Sequence, residues 1–288
     1  MQKIAQKELD TLSIQNDYEV KCKICNDKGF VVTTKEDAEL VEEREEIITT
    51  IIDGPDGTTK KKHTPTGVFN KVYTKKCICK VKSDYMYRLT AGGMSNFINH
   101  SFNNFITKFK WQEIFLNSAK DFRKDPTQLF FISGIAGSGK TRLCSTLANY
   151  LVYKGYSPEY LLWEREMAEA TDNYRAIDFK KFSMWSSIPL LYIDDFLKCM
   201  DNDINKLTDL EKRTARAIIN ARYNNPKLIT IISTELTDVQ LERIDRSLFS
   251  RLKEMATSKY LHFMDPKDTS RDIRHLKFIG EWPTEEIK

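Results

Sequence analysis

The stretch from Phe130 to Leu143, FFISGIAGSGKTRL, constrains this chain more than any other. Its opening, Leu129 to Ser133, reads as a buried strand; a glycine-rich turn follows, and a helix begins at Lys140. Gly134, four intervening residues, Gly139, Lys140 and Thr141 complete the pattern G-x-x-x-x-G-K-[ST] in the strand–loop–helix setting its chemistry requires. The glycines let the backbone close around a phosphate. The amides of Ala136, Gly137, Ser138, Gly139, Lys140 and Thr141 then point at it, and the positive end of the helix adds to the attraction. Lys140 is placed to reach the β- and γ-phosphates, and the Thr141 hydroxyl to hold Mg²⁺. A chance Lys-Thr after a glycine turn would have no reason to carry an apolar strand before it and a helix after it. The stretch predicts a nucleoside-triphosphate site.

The rest of the C-terminal region fits that start. A helix from Thr141 through Leu143, Leu147 and Leu151 should stop at Gly155, followed by a strand at Glu159–Trp163 and an amphipathic helix to about Tyr174. A buried strand, Ile188 to Ile193, ends in Asp194-Asp195. Leu210–Tyr223 reads as helix, Lys227–Ser233 as strand, Asp238 to about Met255 as helix, and Tyr260–Met264 as a last strand. Strands alternating with helices predict an α/β fold with a parallel sheet flanked by helices. Asp194, closing an apolar strand beyond the glycine-rich loop, can hold Mg²⁺ through water, and Asp195 can face the water that attacks the γ-phosphate. Ser233, Thr234 and Glu235 end the next strand on the same crevice. One of them can sense the γ-phosphate, and spacing does not choose among them.

The N-terminal part is organised by cysteines. Cys22-Lys-Ile-Cys25 precedes Asn26-Asp27-Lys28-Gly29, and Cys77-Ile-Cys79 follows a basic segment. Two thiolate pairs supply the four soft ligands of a closed zinc site, although the intervening segment is long and unrelated buried thiols are the alternative. Asp53-Gly-Pro-Asp-Gly57 is a strong turn between the apolar run Ile47–Ile52 and a second strand at Val68–Tyr73, and such a hairpin would return the second pair to the first. Zn²⁺ held by Cys22, Cys25, Cys77 and Cys79 is the prediction; Cys144 and Cys199 take no part. Residues 3–15 are expected to form a short helix, and Glu36–Glu46 an acidic helix with a solvated or partner-binding face. Ala91-Gly92-Gly93 reads as a flexible joint, which sets domains at 1–90 and 91–288. The aromatics from Phe97 to Phe115 can stack bases, but before such a strand they more simply pack a helix on the core.

Net charge is only +4 although Lys and Arg number 45, in blocks such as Lys60-Lys61-Lys62 and Lys75-Lys76. That permits nucleic-acid contact without requiring it; a solvated mixed-charge surface reads equally well. No apolar run reaches the roughly 18 residues of a membrane helix, and the start lacks a signal peptide's apolar core. The expectation is a cytoplasmic protein with no membrane contact, whose cysteines are ligands or thiols rather than disulfides.

The glycine-rich loop, LLYIDDF, AIINARYNNPKLITIISTEL and SLFSRL, in that order, together resemble the DnaC/DnaI-type replicative helicase loaders, AAA+ ATPases with the IstB transposition ATPases as relatives. The N-terminal C-x-x-C-x-D-x-G with its later C-x-C is similar to the zinc-binding domain of bacterial and phage members. The resemblance implies ATP and Mg²⁺ at Lys140 and Thr141, Asp194 as the metal carboxylate, and Asp195 in the general-base place. It implies Arg251 of Ser-Arg-Leu as an arginine finger for a neighbouring subunit, with Arg246 second. Asp195 stands where most such ATPases have glutamate, which implies slow hydrolysis, and Glu235 where many have a sensor asparagine. Little chain follows the last strand to form a helical lid, a shortness shared by the loaders. The implied partners are a replicative DNA helicase, single-stranded DNA and further copies of the chain, in the bacterial host cytoplasm if the chain is phage-encoded. An IstB-like transposition ATPase, or a zinc-ribbon adaptor binding ATP without turnover, are the alternatives.

Overall fold

A computed structural model describes residues 22–33, 39–53, 59–172, 178–199, 203–265 and 272–273. The predicted helix over residues 3–15 and the turn at 54–57 lie outside them. The chain divides into two compact units, Met1–Asp84 and Tyr85–Lys288.

In the first unit, β1 (Phe30–Thr33), β2 (Glu39–Asp53) and β3 (Thr59–Lys76) form an antiparallel sheet in the order β1-β3-β2. The Glu36–Glu46 segment is therefore not helical where it is described: from Glu39 it is strand. Glutamates favour helix, but the pairing of Glu39–Glu45 with Phe69–Thr74 of β3 supplies backbone hydrogen bonds that outweigh this weak preference. Beyond Ile47, β2 and β3 continue alone as a two-stranded ribbon, Ile47 opposite Pro65 and Asp53 opposite Thr59. At the other end, Phe30 of β1 pairs with Lys76, which returns the chain to the first cysteine pair. Helix α1 (Ile78–Ala91) starts there.

The second unit is built on a five-stranded parallel sheet. Its strands are β4 (Leu129–Ser133), β5 (Pro158–Leu162), β6 (Leu190–Asp194), β7 (Ile229–Thr234) and β8 (Leu261–Phe263), in the order β5-β6-β7-β4-β8. Such strands are apolar throughout because both faces are covered. Phe130 and Ile132 meet α2 (Lys110–Phe122) and α3 (Lys140–Tyr153) through Phe122, Leu143 and Leu147. Leu129 and Phe131 face the opposite layer, which includes α4 (Trp163–Asp172), α5 (Phe179–Ser187), α6 (Asp209–Tyr223), α7 (Asp238–Ile244) and α8 (Arg246–Ala256). The aromatics Phe97, Phe102, Phe105, Trp111 and Phe115 pack against the α2–α3 side.

Helix α5, which the sequence did not predict, buries Trp185. Two local outcomes differ from expectation. The helix expected from Asp238 to Met255 breaks at Asp245, whose carboxylate accepts the amides of Ser247 (2.9 Å) and Leu248 (3.1 Å) and an Arg216 hydrogen bond. A side chain that caps the second helix ends the first. Ala91-Gly92-Gly93 is not a loose joint: the Gly92 carbonyl accepts the Tyr160 amide at 2.9 Å, and a Cβ on Gly92 would lie 2.4 Å from the Pro158 carbonyl oxygen. Glycine is there because β5 leaves no room. Arg222, fully buried, ties α6 to the sheet by hydrogen bonds to Thr230 Oγ1 and the carbonyls of Trp185, Ile188 and Ile229. Among the described residues no helix is long and apolar enough to cross a membrane.

A candidate nucleotide site and a cysteine cluster

Parallel strands present their carboxyl ends to one crevice. Here Ser133, Asp194 and Thr234 end β4, β6 and β7, and the Gly134–Gly139 loop rises from the first of them into α3. Gly137 (φ 80°) and Gly139 (φ 86°) lie in the left-handed region open to glycine, so the loop's tight path is written in those two positions. Gly134 is needed for space: a Cβ there would come 2.5 Å from Met264 Sδ. Lys140 is buried and folded back over the loop, donating to the carbonyls of Gly134 (2.8 Å) and Ile135 (2.9 Å). Burial lowers the pKa of its ammonium, and Glu235, Asp195 and Asp194 act against that lowering.

Beside the loop, the Thr141 hydroxyl donates to Asp194 Oδ1 at 3.1 Å. A hydroxyl and a buried carboxylate meeting at the foot of a phosphate-sized loop form a donor set that Mg²⁺ takes. Asp194 is also held by Tyr160, whose hydroxyl donates to Oδ2 at 3.1 Å, and by the Ser233 hydroxyl on Oδ1. Sequence reasoning missed Tyr160, since a tyrosine on a neighbouring strand leaves no motif. Ser233 is one of the three residues left open as γ-phosphate sensor, and its hydroxyl donates to Asp194. The Thr234 hydroxyl is spent within the fold, donating to the Phe196 carbonyl at 2.7 Å and accepting the Leu236 amide at 3.1 Å. Glu235, half-buried, heads the carboxylates acting on Lys140.

Asp195 has φ 53°, a conformation costing a non-glycine residue about 1 kcal/mol. The turn lets the Phe196 amide bond the Ser233 carbonyl at 2.8 Å. The Asp195 carboxylate is met by Lys198 Nζ at 2.8 Å, a partner the sequence did not single out. Arg251 lies on α8, its guanidinium on the Ser247 hydroxyl and carbonyl and 5.8 Å from the Tyr223 ring. Arg246 is the more exposed of the two arginines, 3.8 Å from Glu242. Against Gly137–Gly139 lies an apolar pocket of about 320 Å³ lined by Phe105, Ile106, Trp111, Phe115 and Leu143, within the size range of small-ligand sites. Ile273 also lines it and donates its amide to the Gly137 carbonyl at 3.2 Å.

A model of the family described as novel STAND NTPase 3 matches residues 116–275, which span the loop, β4 to β8 and both aspartates. The chain belongs to the novel STAND NTPase 3 family. Several solved structures are similar to part of this STAND NTPase. A DnaI structure is 17% identical over 59% of this chain and 91% of its own, with a TM-score of 0.47. A DnaC helicase loader is 24% identical over 58% and 97%, with a TM-score of 0.43. Domain III of the replication initiation protein DnaA from Thermotoga maritima is 20% identical over 60% and 70%, with a TM-score of 0.45. No curated protein matches the chain.

In the first unit of this STAND NTPase, Cys22, Cys25, Cys77 and Cys79 bring their sulfurs within 4.8 Å of one another. Cys144 and Cys199 are not part of the group. The turn after Cys25 runs through Asn26 (φ 49°), Asp27 (φ 63°) and Gly29 (φ 77°), and Asp27 accepts the Cys22 amide at 2.8 Å. The Cys77 amide donates to the Gly29 carbonyl at 2.8 Å, which locks the second pair onto the first knuckle. Sulfur separations of 3.8 Å (Cys22–Cys77) and 3.4 Å (Cys25–Cys79) lie close to the roughly 3.8 Å that tetrahedral Zn–S bonds of about 2.3 Å would set. The donor set therefore fits zinc. Four thiolates this close repel one another unless a cation lies among them. Backbone amides of Cys25 and Ile24 lower the Cys22 thiol to about 7, while its hydrogen bond with Cys25, burial and the other thiols push Cys79 up to about 12.

Proposed function

We propose that this STAND NTPase is an ATP-dependent loader of a replicative DNA helicase, with residues 1–90 as the zinc-binding, helicase-gripping domain and 91–288 as the ATPase domain. The observation that carries the nucleotide part is the meeting of Thr141 with Asp194 beside the loop that Lys140 covers. In this reading the loop amides and Lys140 hold the β- and γ-phosphates, Thr141 ligates Mg²⁺, and Asp194 binds it through water. The base lies in the apolar pocket beside Gly137–Gly139, and Asp195 orients the attacking water. Zn²⁺ is held by the four cysteines. The helicase and single-stranded DNA as partners rest on the ordered motifs LLYIDDF, RYNN and SRL, and the copies assemble so that ATP between subunits sets their geometry. A test is ATP hydrolysis by the purified chain with single-stranded DNA, then with the host's replicative helicase. The expected result is low basal turnover, stimulation by DNA and stable capture of the helicase; capture of a transposase instead would move the chain to the IstB-like group.

One observation favours a second reading, an ATP-binding adaptor without turnover: Lys198 Nζ is 2.8 Å from the carboxylate that would act as base. Steady-state hydrolysis indistinguishable from a blank, with ATP bound, would select it.

Arg251 is proposed to act in trans. The guanidinium contacts Ser247 and Tyr223 on its own chain, not the phosphate loop. Fingers of this kind contribute about 10³ or more in P-loop enzymes. Arg251→Ala is expected to keep ATP affinity and lose most DNA-stimulated hydrolysis. Mixing it with Lys140→Ala should restore part of the rate, because the second variant still lends its arginine to an intact neighbouring site. If co-assembled mixtures stay inactive, the role in trans is wrong.

A further inference from the structure

The distal half of the β2–β3 ribbon has no place in the nucleotide site, and its surface is unusual. Every residue described there is exposed on both strands, 47–51 and 61–65. Ile47, Ile48 and Ile51 are 56%, 54% and 68% exposed, so neither face covers a core. A two-stranded ribbon with no buried face is marginal in water, and its length calls for a partner.

The charges say which kind. In β2, Glu39, Glu42, Glu43 and Glu45 stand at register positions opposite the Phe69–Thr74 part of β3, where Arg44 and Lys71 are the basic residues, so the base is acidic on balance. In the distal half the sign reverses: Lys60, Lys61 and Lys62 stand at register positions opposite Ile52, Ile51 and Thr50, with Asp53 the sole acidic residue among the strand residues there. Side chains alternate across a strand, so Lys61 and Lys62 lie on opposite faces. A protein surface would meet one face. A groove walled by two phosphate backbones meets both, and the major groove of duplex DNA is wide enough for a two-stranded ribbon. Between the lysines the ribbon offers Ile51 and the Thr49–His63 pair (2.9 Å), apolar and hydrogen-bonding groups of the kind that meet base edges. The acidic base would be repelled by phosphate, which limits entry to the distal half.

We propose that residues 47–53 and 59–65 form a cationic ribbon that enters the groove of duplex DNA, with Lys60, Lys61 and Lys62 contacting phosphates on both sides. The ribbon shares no residue with the nucleotide site, and its role does not depend on how that site is read.

The test uses the full chain and a short fluorescein-labelled duplex, followed by anisotropy over about 50 to 200 mM salt. The Lys60→Gln, Lys61→Gln, Lys62→Gln triple variant is expected to bind at least about 10-fold more weakly at the lower salt, and to lower the slope of log K against log salt by about 2.7, or 0.9 per lysine. The triple arginine variant should keep the wild-type slope. Zinc content and ATP hydrolysis, unchanged in both, report intact folding of the two units. Should the glutamine triple lose zinc, the single Lys61→Gln and Lys62→Gln variants decide, each with a slope change of about 0.9. A wild-type slope in the glutamine variants, equal losses in the arginine variant, or no duplex binding by the wild type would overturn the proposal. Loss of helicase capture with DNA binding intact would assign the ribbon to a protein partner and overturn it as well.

Discussion

Lys140→Ala is expected to abolish measurable ATP binding and hydrolysis while leaving the cysteine cluster folded. The ammonium lies 2.8 and 2.9 Å from the Gly134 and Ile135 carbonyls. When phosphate enters the loop those contacts are the ones it would replace, and hydrogen bonds from a charged donor contribute about 1.5–3 kcal/mol each. Two such contacts make a loss of about 3 kcal/mol, or at least a hundred-fold in affinity. The three carboxylates that hold up the lysine's pKa would also face the phosphates without a counter-charge. Calorimetry with ATP and Mg²⁺ measures the binding, and metal content of the same sample reports the other unit. Wild-type binding and turnover would sink the loop assignment.

The second large effect concerns the thiols. Purified protein is expected to carry about one Zn²⁺ per chain, and Cys22→Ser with Cys25→Ser to remove it and unfold the first unit. Structural zinc contributes about 10–16 kcal/mol in small peptides, a large term for a unit this small. Its buried apolar residues, among those described, are Cys25 and Cys77 themselves. Elemental analysis with proteolysis of the N-terminal region would follow both losses. Cys144→Ser should change neither, because that thiol is on α3, buried in the core of the second unit. Protein prepared without chelator and found free of zinc would count decisively against the site.

Legibility in the sequence divides along a physical line. The loop from Gly134 to Thr141 was legible because its chemistry depends on backbone shape over consecutive residues. The parallel sheet was legible because strands buried on two faces are apolar without interruption, as in Leu129–Ile132. The cysteine pairs were legible as pairs, and their union followed from a hairpin whose turn could be seen. By contrast, Tyr160 and Ser233 on Asp194, and Lys198 on Asp195, are meetings across strands and turns, with no fixed spacing to betray them. Glu39–Glu45 misled because local preference favoured helix and the deciding partner, β3, lies far along the chain. Asp245 misled because one aspartate serves as a break only when its side chain turns back to cap the next helix.

The strand order has a consequence in time. β4 carries the phosphate loop, yet both of its neighbours come late: Leu129 pairs with Thr230 and Phe131 with Leu261. During synthesis the loop is made early and then waits, with Phe130, Phe131 and Ile132 unsheltered, until β7 and β8 have left the ribosome. Pairings that distant are slow to close, and an apolar strand left open meanwhile invites wrong partners. A nascent chain stalled before Leu261 would hold every residue of the nucleotide loop and still lack the edge strand against which Ser133 and Gly134 are set. Nucleotide binding should therefore arise late and abruptly in translation, as a property of the closed sheet rather than of the loop.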